Sequence, residues 1–229
     1  SHREFAKEAF DDLREMLMAR LVKIEDVPYV ARLATTSTPG FEDMFSVGPD
    51  IEKMLRQCFI TREDIKNFLW PICEKLHTSR SFAIGGILLS FEAGLTKDEI
   101  RQTVMNIVNL GTSDAGYLLC TSGLLLSSHQ ITKDDIDNLF IPLLKINPAF
   151  EYADLEYVLR ILVNPKVGKS GFVRFLEPIV RLIEDKLDID SVFESLVILL
   201  EDETWTPEGI NTYILPLISL PQTDAESIL

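Results

Sequence analysis

The sequence predicts an all-α fold, a right-handed α-solenoid of about five two-helix repeats with a period of about 36 residues. Three observations lead to this prediction. A short motif that begins a helix recurs along the chain. A proline follows most copies of the motif at a fixed distance, and a second apolar helix follows each copy.

The recurring motif is a threonine followed three residues later by an acid, as in ITREDI, LTKDEI and ITKDDI, with a related WTPEGI further on. A threonine before a helix accepts a hydrogen bond from a free backbone N–H, and the acid accepts one from the threonine N–H. The gaps of 35, 36 and 74 residues predict a further copy near residue 168, where GKSGFVRFLEPIV lies. The threonines are Thr61, Thr96, Thr132 and Thr206.

A proline lies ten residues after the start of four of the five copies, and the copy at Thr96 has Asn106 instead. Proline removes one backbone donor and its ring crowds the preceding turn, so each of these helices is expected to kink. The four prolines are Pro71, Pro142, Pro178 and Pro216.

A second helix is predicted in each copy, over 79–92, 114–128, 151–164 and 189–202. Residues 13, 9 and 6 positions before the next repeat start are nearly all apolar, which predicts one buried stripe on each helix. Each copy is then a helical hairpin that buries this stripe against its neighbours. The stripe residues are Ala83, Ile87, Ser90, Leu119, Gly123, Leu126, Leu155, Leu159, Leu162, Phe193, Val197 and Leu200.

These proline-containing helical pairs resemble HEAT-type and armadillo-like repeats over roughly residues 60–220. The resemblance rests on NFLWPI, LFIPLL, FLEPIV and YILPLI, whereas the regularly placed Asp and Arg of HEAT units are absent. It implies a scaffold that binds a partner protein. We expect residues 1–59 to form an irregular helical cap with a long loop at 34–49, and the repeats of 60–229 to continue beyond Leu229.

Composition limits the classes of function. The formal charge of −14 opposes binding to nucleic acid or anionic lipid, and no apolar run has membrane-spanning length. Three widely spaced cysteines argue against a disulfide framework and for an intracellular location, cytoplasmic or nuclear.

No cofactor, metal or catalytic residue is predicted. VGKSG lacks the P-loop glycine, because Val163 stands in its place, and Cys73 and His77 supply only two of about four zinc ligands.

The predicted function is a non-catalytic scaffold that binds a protein or peptide, with basic residues to suit the acidic chain, in a groove along the second helices. An RNA-binding helical repeat and an all-α enzyme without a recognisable motif are the alternatives. Tyrosine and arginine often anchor interfaces, although the two tyrosines would equally fill gaps between repeats. The predicted groove residues are Tyr117, Thr121, Glu156, Tyr157, Arg160 and Ser195.

Overall fold

A computed structural model describes residues 2–34, 47–75, 80–110, 115–147, 150, 155–182, 189–214 and 216. All regular secondary structure in these residues is helical and none is strand, so the predicted all-α class is confirmed for this part of the chain. Residues 35–46, which make up most of the predicted loop, lie outside the described residues.

From α2 (Val27–Ala34) onward the helices form pairs. The even-numbered helices are the first members of these pairs, and the odd-numbered helices that follow them are the second members. Helices α4 (62–75) and α8 (133–146) each contain a π-helical segment, at Ile65–Leu69 and Ile136–Phe140. The second helices lie within the predicted ranges. The remaining helices are α1 His2–Met18, α2 Val27–Ala34, α3 Val47–Arg56, α5 Arg80–Glu92, α6 Lys97–Val108, α7 Ala115–Ser127, α9 Leu155–Val163, α10 Gly168–Leu182, α11 Ile189–Glu201 and α12 Pro207–Tyr213.

The chain divides into two compact units, residues 1–131 and 132–229. In the first unit, α2, α4 and α6 contact one another in order, as do α3, α5 and α7. In the second unit, α8 contacts α10, α10 contacts α12, and α9 contacts α11. Each unit by itself therefore packs first helices on first helices and second on second. The predicted domain boundary between residues 59 and 60 falls inside the first unit.

The predicted helix starts are present. The backbone N–H of Thr61 donates to Asp64 Oδ2 at 2.6 Å, that of Thr96 to Glu99 Oε2 at 2.8 Å, and that of Thr132 to Asp135 Oδ2 at 2.7 Å. The hydroxyl of Thr206 accepts from the N–H of Gly209 at 3.0 Å. Local hydrogen bonding thus fixes where these four helices begin.

A further helix start lies in the N-terminal segment. The backbone N–H of Lys23 donates to Asp26 Oδ2 at 2.8 Å, and the buried Val22 precedes it as the buried Ile60 precedes Thr61. VKIEDV therefore aligns with ITREDI, but lysine stands where threonine supplies the signal. This helix start lies within residues 1–59, the segment predicted to be an irregular cap.

The capping acids also link neighbouring pairs. At three of the starts the next residue extends back to the acid of the preceding pair: Arg62 Nε lies 3.0 Å from Asp26 Oδ2, Lys97 Nζ 2.8 Å from Asp64, and Lys169 Nζ 2.6 Å from Asp135. Lys133, after Thr132, instead pairs with Asp137 of its own helix at 2.6 Å. Partly exposed ion pairs contribute little energy each. The three pairs join equivalent positions, two of them in the first unit and one in the second.

Hydrogen bonding at these acids changes their acidity. Burial alone would raise the pKa of Asp64, but hydrogen bonds from Lys97 and Thr61 outweigh it, so the pKa lies below its usual value. At Asp135 burial is likewise outweighed, by hydrogen bonds from Lys169 and Thr132, and the pKa is again lowered. Both carboxylates are therefore charged when they cap and link the helices.

Two π-helical segments lie just before Pro71 and Pro142, two of the four prolines at which a kink is predicted. A π turn moves the preceding carbonyls away from the proline ring and tolerates the missing donor. Helix α6, which has Asn106 in place of proline, is regular throughout. Pro178 lies within α10 without a π segment, and nothing in the structure explains this difference.

Helices α5 and α7 touch backbone to backbone. A Cβ atom added to Gly86 would lie 2.6 Å from the carbonyl carbon and oxygen of Leu119, and one added to Gly123 would lie 2.7 Å from the carbonyl oxygen of Gly86. Ser90 Oγ also donates to that oxygen at 2.7 Å. Only glycine leaves room for this crossing.

The close approach corrects one sequence-based expectation. Helices α5 and α7 were predicted to bury a single stripe, yet Ser81 and every following residue to Leu88 are buried, as is most of α7. Small residues on the second face of each helix allow that face to be covered as well. The expected groove therefore does not run along these two helices.

The register of α9 also differs from the prediction. Leu159 is only half-buried, whereas Val158, Ile161 and Leu162 are each at most 2% exposed. The buried stripe thus passes through Val158 and Ile161 rather than through Leu159.

We expect Gly86→Ala to reduce the free energy of unfolding by about 2–4 kcal/mol, because the methyl group meets the backbone of α7. Gly171→Ala is the control: a Cβ there would have only Val167 Cγ1 within reach, at 4.0 Å. That variant should be neutral or more stable by up to about 1 kcal/mol. Urea denaturation followed by circular dichroism measures both, and equal effects would contradict the backbone contact.

The turns after α1 and α3 place a residue other than glycine in the left-handed region. Arg20 and Cys58 have φ of 59° and 58°, and Gly94, after α5, has φ of 90°. All three turns contain the same hydrogen bond, such as that from Phe59 N to Met54 O at 3.0 Å.

Replacing the exposed Cys58 by glycine should stabilise the protein by about 0.5–1 kcal/mol. Relief of the left-handed conformation, about 1–2 kcal/mol, exceeds the extra entropy that glycine loses on folding. Gly94→Ala should destabilise by a similar amount. Thermal unfolding compares the melting temperature of each variant with that of the wild-type protein. A lower melting temperature for Cys58→Gly would refute the left-handed conformation at Cys58.

Candidate functional site

The outer face of α9 and α11 in the second unit contains four of the six predicted groove residues. Glu156 and Arg160 on α9 are exposed, and Tyr157 is half-buried. Ser195 on α11 is half-buried, and its hydroxyl donates to the carbonyl oxygen of Ser191 at 2.9 Å. These residues belong to two helices that pack against each other.

Arg160 links the two helices. Its Nη2 lies 2.5 Å from Glu201 Oε1 on α11, and its Nη1 lies 4.0 Å from Glu156, one turn earlier on α9. The hydrogen bond with Glu201 raises the pKa of Arg160, although the side chain is well exposed to solvent. This pair orients the guanidinium along the face, with one acid on either side.

Two exposed aliphatic side chains flank the Arg160–Glu201 pair. Val163 follows Arg160 on α9 and is 63% exposed, and Ile198 precedes Glu201 on α11 and is 60% exposed. Eight positions before the next repeat start, Leu88 is buried, Leu124 is 38% exposed and Ile198 is 60% exposed. The same position of the repeat thus passes from core to surface along the chain.

The charge around these aliphatic residues is strongly negative. Exposed acids on α11 and in the turn after it are Asp190, Glu194, Glu201, Asp202 and Glu203. Hydrogen bonds from the hydroxyl and backbone N–H of Thr204 lower the pKa of Asp202, so this carboxylate stays charged. We call the surface formed by Glu156, Arg160, Val163, Glu194, Ile198 and Glu201 the acidic α9/α11 face.

Tyr117 and Thr121 lie on α7 in the first unit. The ring of Tyr117 packs edge-on against Phe82, with ring centroids 5.6 Å apart, and Tyr117 is half-buried. Thr121 is only 8% exposed, because the close packing of α5 and α7 covers it. Thr121 is therefore not accessible to a partner in this structure. Tyr117 fills the space beside Phe82 between α5 and α7.

Val163 and Ile198 were not among the groove residues predicted from the sequence, and neither lies on the predicted buried stripe. The signal for them is weak, because a single exposed aliphatic residue cannot be told from a buried one by helical spacing alone. Arg160 stands eight positions before the next repeat start, where other copies have Leu88, Leu124 and Ile198, and it lies on the helix that carries Val163.

The described residues contain no group of three or more His, Cys, Asp or Glu side chains placed to hold a metal ion. Burial raises the pKa of the Cys73 thiol to about 12, which makes it a poor nucleophile. Its predicted neighbour on the same helix, His77, lies outside the described residues. Within the same described ranges, no helix combines the length and apolar character needed to cross a bilayer.

Asp50 on α3 is a second candidate by its chemistry. Its Oδ2 atom is buried without a hydrogen-bond partner, and burial raises its pKa to about 6, with Lys53 opposing the rise and Glu92 adding to it. Lys53 and Glu92 form an ion pair beside it. The charge of Asp50 adds to the effect of burial in raising the pKa of the Cys120 thiol to about 12. Carboxyls of this kind occur in active sites, but the Cys120 thiol near Asp50 is a poor nucleophile because its pKa is raised.

Comparison with protein-family models, curated proteins and solved structures found no match.

Asp50→Asn should stabilise the protein at neutral pH, because it removes a partly buried charge. We expect a gain of about 1–2 kcal/mol, which is less than the full pKa shift implies because the side chain is partly exposed. The pKa is higher in the folded than in the unfolded state, so the wild-type protein loses stability as pH rises from about 4 to about 6. The variant lacks this loss, and the two proteins should be equally stable below about pH 4. The difference is measured from the urea unfolding midpoints of both proteins between pH 3.5 and 7.5. If the two midpoints changed with pH in parallel, Asp50 would not carry a buried charge.

Proposed function

We propose that the protein is a non-catalytic, intracellular interaction scaffold, built as a right-handed solenoid of about five HEAT- or armadillo-like repeats. Its acidic α9/α11 face binds a partner segment that is helical, amphipathic and basic. The observation that carries the proposal is the exposure of Val163 and Ile198 beside the Arg160–Glu201 pair.

The repeated ion pairs support the architecture. Asp26 with Arg62 and Asp64 with Lys97 in the first unit, and Asp135 with Lys169 in the second, join equivalent positions of successive helical pairs. Together with the period of about 36 residues in the sequence, they favour stacking of each pair on the next in the same way. The fixed scaffold then leaves the outward side chains free to differ from repeat to repeat.

The composition of the acidic α9/α11 face supports the class of partner. Two aliphatic side chains that are each at least 60% exposed supply apolar contact, and several acids surround them with a single arginine. An amphipathic helix that places leucine-like residues on Val163 and Ile198 and lysine or arginine opposite the acids would satisfy both. The same acids oppose an RNA backbone.

The proposal predicts selective binding of an 18-residue amphipathic helical peptide of leucine and lysine, measured by fluorescence anisotropy. The double variant Val163→Ser, Ile198→Ser should weaken binding at least tenfold without changing the melting temperature, since both side chains are exposed. Met18→Ser is the control, because Met18 is 79% exposed but lies on α1 in the first unit.

A leucine–glutamate peptide of the same length and a dodecauridylate RNA test the charge argument and the RNA alternative. Neither should bind. Equal binding of the double variant and the wild-type protein would place the partner surface elsewhere, and RNA binding that survives the double variant would favour the nucleic-acid function.

A further inference from the structure

A cleft of about 310 Å³ lies between α10 and α12 in the second unit, away from the acidic α9/α11 face. The residues that matter for its chemistry are Lys166, Gly171, Arg174, Phe175, Glu208 and Asn211. It occupies the junction between two first helices, next to their first turns. The same junction between α2 and α4 also forms a cleft, which provides a comparison within the chain.

The junction of α10 and α12 lacks the ion pair seen at the junctions of α2 with α4, α4 with α6, and α8 with α10. Gly171 stands three residues after the repeat start, where Asp26, Asp64 and Asp135 stand in other copies. Pro207 stands one residue after the next start, in place of the cation. Both members of the linking pair are therefore replaced, and the position of the carboxylate is empty space beside Gly171, where a Cβ would meet only Val167 at 4.0 Å.

Arg174 supplies a positive charge next to that space. It lies three residues after Gly171, so both residues occupy the same face of α10. Arg174 is exposed and forms no ion pair or hydrogen bond with any residue in the described part of the chain. Lys166 is already engaged, since its Nζ donates to the carbonyl oxygens of Asp202 at 2.6 Å and Trp205 at 3.0 Å.

Asn211 adds an unsatisfied acceptor. Its Nδ2 donates to the carbonyl oxygen of Phe175 at 3.3 Å, which fixes the orientation of the amide. The opposite atom, Oδ1, is buried and has no donor among the described residues. A donor from outside the described residues, such as a peptide N–H, would satisfy this atom.

We infer that the cleft between α10 and α12 binds an acidic peptide. A side-chain carboxylate of the peptide lies beside Gly171 and pairs with Arg174, and a backbone N–H of the peptide donates to Asn211 Oδ1. Glu208 at the rim repels a second carboxylate nearby, so isolated acids separated by neutral residues fit better than a run of acids.

The cleft between α2 and α4 shows the same chemistry satisfied within the chain. There the guanidinium of Arg62 lies 3.0 Å from a carboxylate oxygen of Asp26 and 3.0 Å from one of Glu25. An acidic peptide at Arg174 would reproduce this arrangement with a carboxylate from another molecule. The inference does not depend on the function proposed for the acidic α9/α11 face.

The test is a titration of the ¹⁵N-labelled full chain with the acetylated, amidated peptide Gly-Glu-Gly-Gly-Glu-Gly, followed by NMR. The side-chain amide signals of Asn211 and the Nε–H signal of Arg174 should shift and saturate. The glutamine peptide Gly-Gln-Gly-Gly-Gln-Gly should produce shifts at least tenfold smaller at the same concentration. Equal shifts with both peptides would refute recognition of the carboxylate.

Three variants locate the site. Arg174→Ala should raise Kd at least tenfold, and Arg181→Ala, on the same helix, should leave Kd unchanged. The double variant Gly171→Asp, Pro207→Lys restores the missing ion pair, so it should keep or raise the melting temperature and abolish binding. Unchanged affinity in Arg174→Ala or in a folded double variant would overturn the inference. Equal shifts with inorganic phosphate at the same concentration would also overturn it, since they would indicate a general anion site.

Discussion

The contact between Gly86 and Gly123 is the constraint on which the first unit depends. Where α5 crosses α7, the carbonyl oxygen of Gly86 lies against the Cα of Gly123, and no side chain separates the two helices. Close approach allows both helices to be buried on more than one face, so Phe82, Ile84 and Ile87 all lie in the core. Burial of apolar area on this scale is the main source of stability in a helical unit. The helices α3 and α6, which pack on α5, are positioned by the same crossing.

The ends of the first helices set the second constraint, which is register. At three of the starts one carboxylate both caps its own helix and pairs with a cation from the next pair, as Asp64 does with Thr61 and Lys97. A side chain that satisfies both a local and a tertiary interaction strongly favours one fold over alternatives. At the junction of α10 and α12, which lacks both charges, Arg174 and the amide oxygen of Asn211 have no partner among the described residues.

Sequence reasoning predicted the parts of the fold that local interactions control. The caps at Thr61, Thr96 and Thr132 and the extents of the second helices follow from hydrogen bonding and helical spacing, which act within a few residues. It missed the start at Lys23, because the acid and the preceding apolar residue carry the signal there without a capping threonine. It could not foresee burial of both faces of α5, because that depends on which residue of another helix meets Gly86.

The candidate site was predictable to a similar degree. Arg160 was identified because a charge interrupts an apolar position, and the structure places it between two acids. Thr121 was assigned to a surface because it lies off the apolar stripe, yet the approach permitted by glycine buries it. Exposure of Val163 and Ile198 depends on what covers α9 and α11, and spacing along one helix carries no information about that.

The central claim is tested most directly by an NMR measurement on protein labelled at glycine. The structure predicts a strong nuclear Overhauser effect between the α protons of Gly86 and Gly123, since a Cβ added at Gly123 would lie 3.1 Å from Gly86 Cα. The absence of this cross-peak in a folded sample, with Gly86 α protons instead close to side-chain protons of another helix, would contradict the backbone contact between α5 and α7.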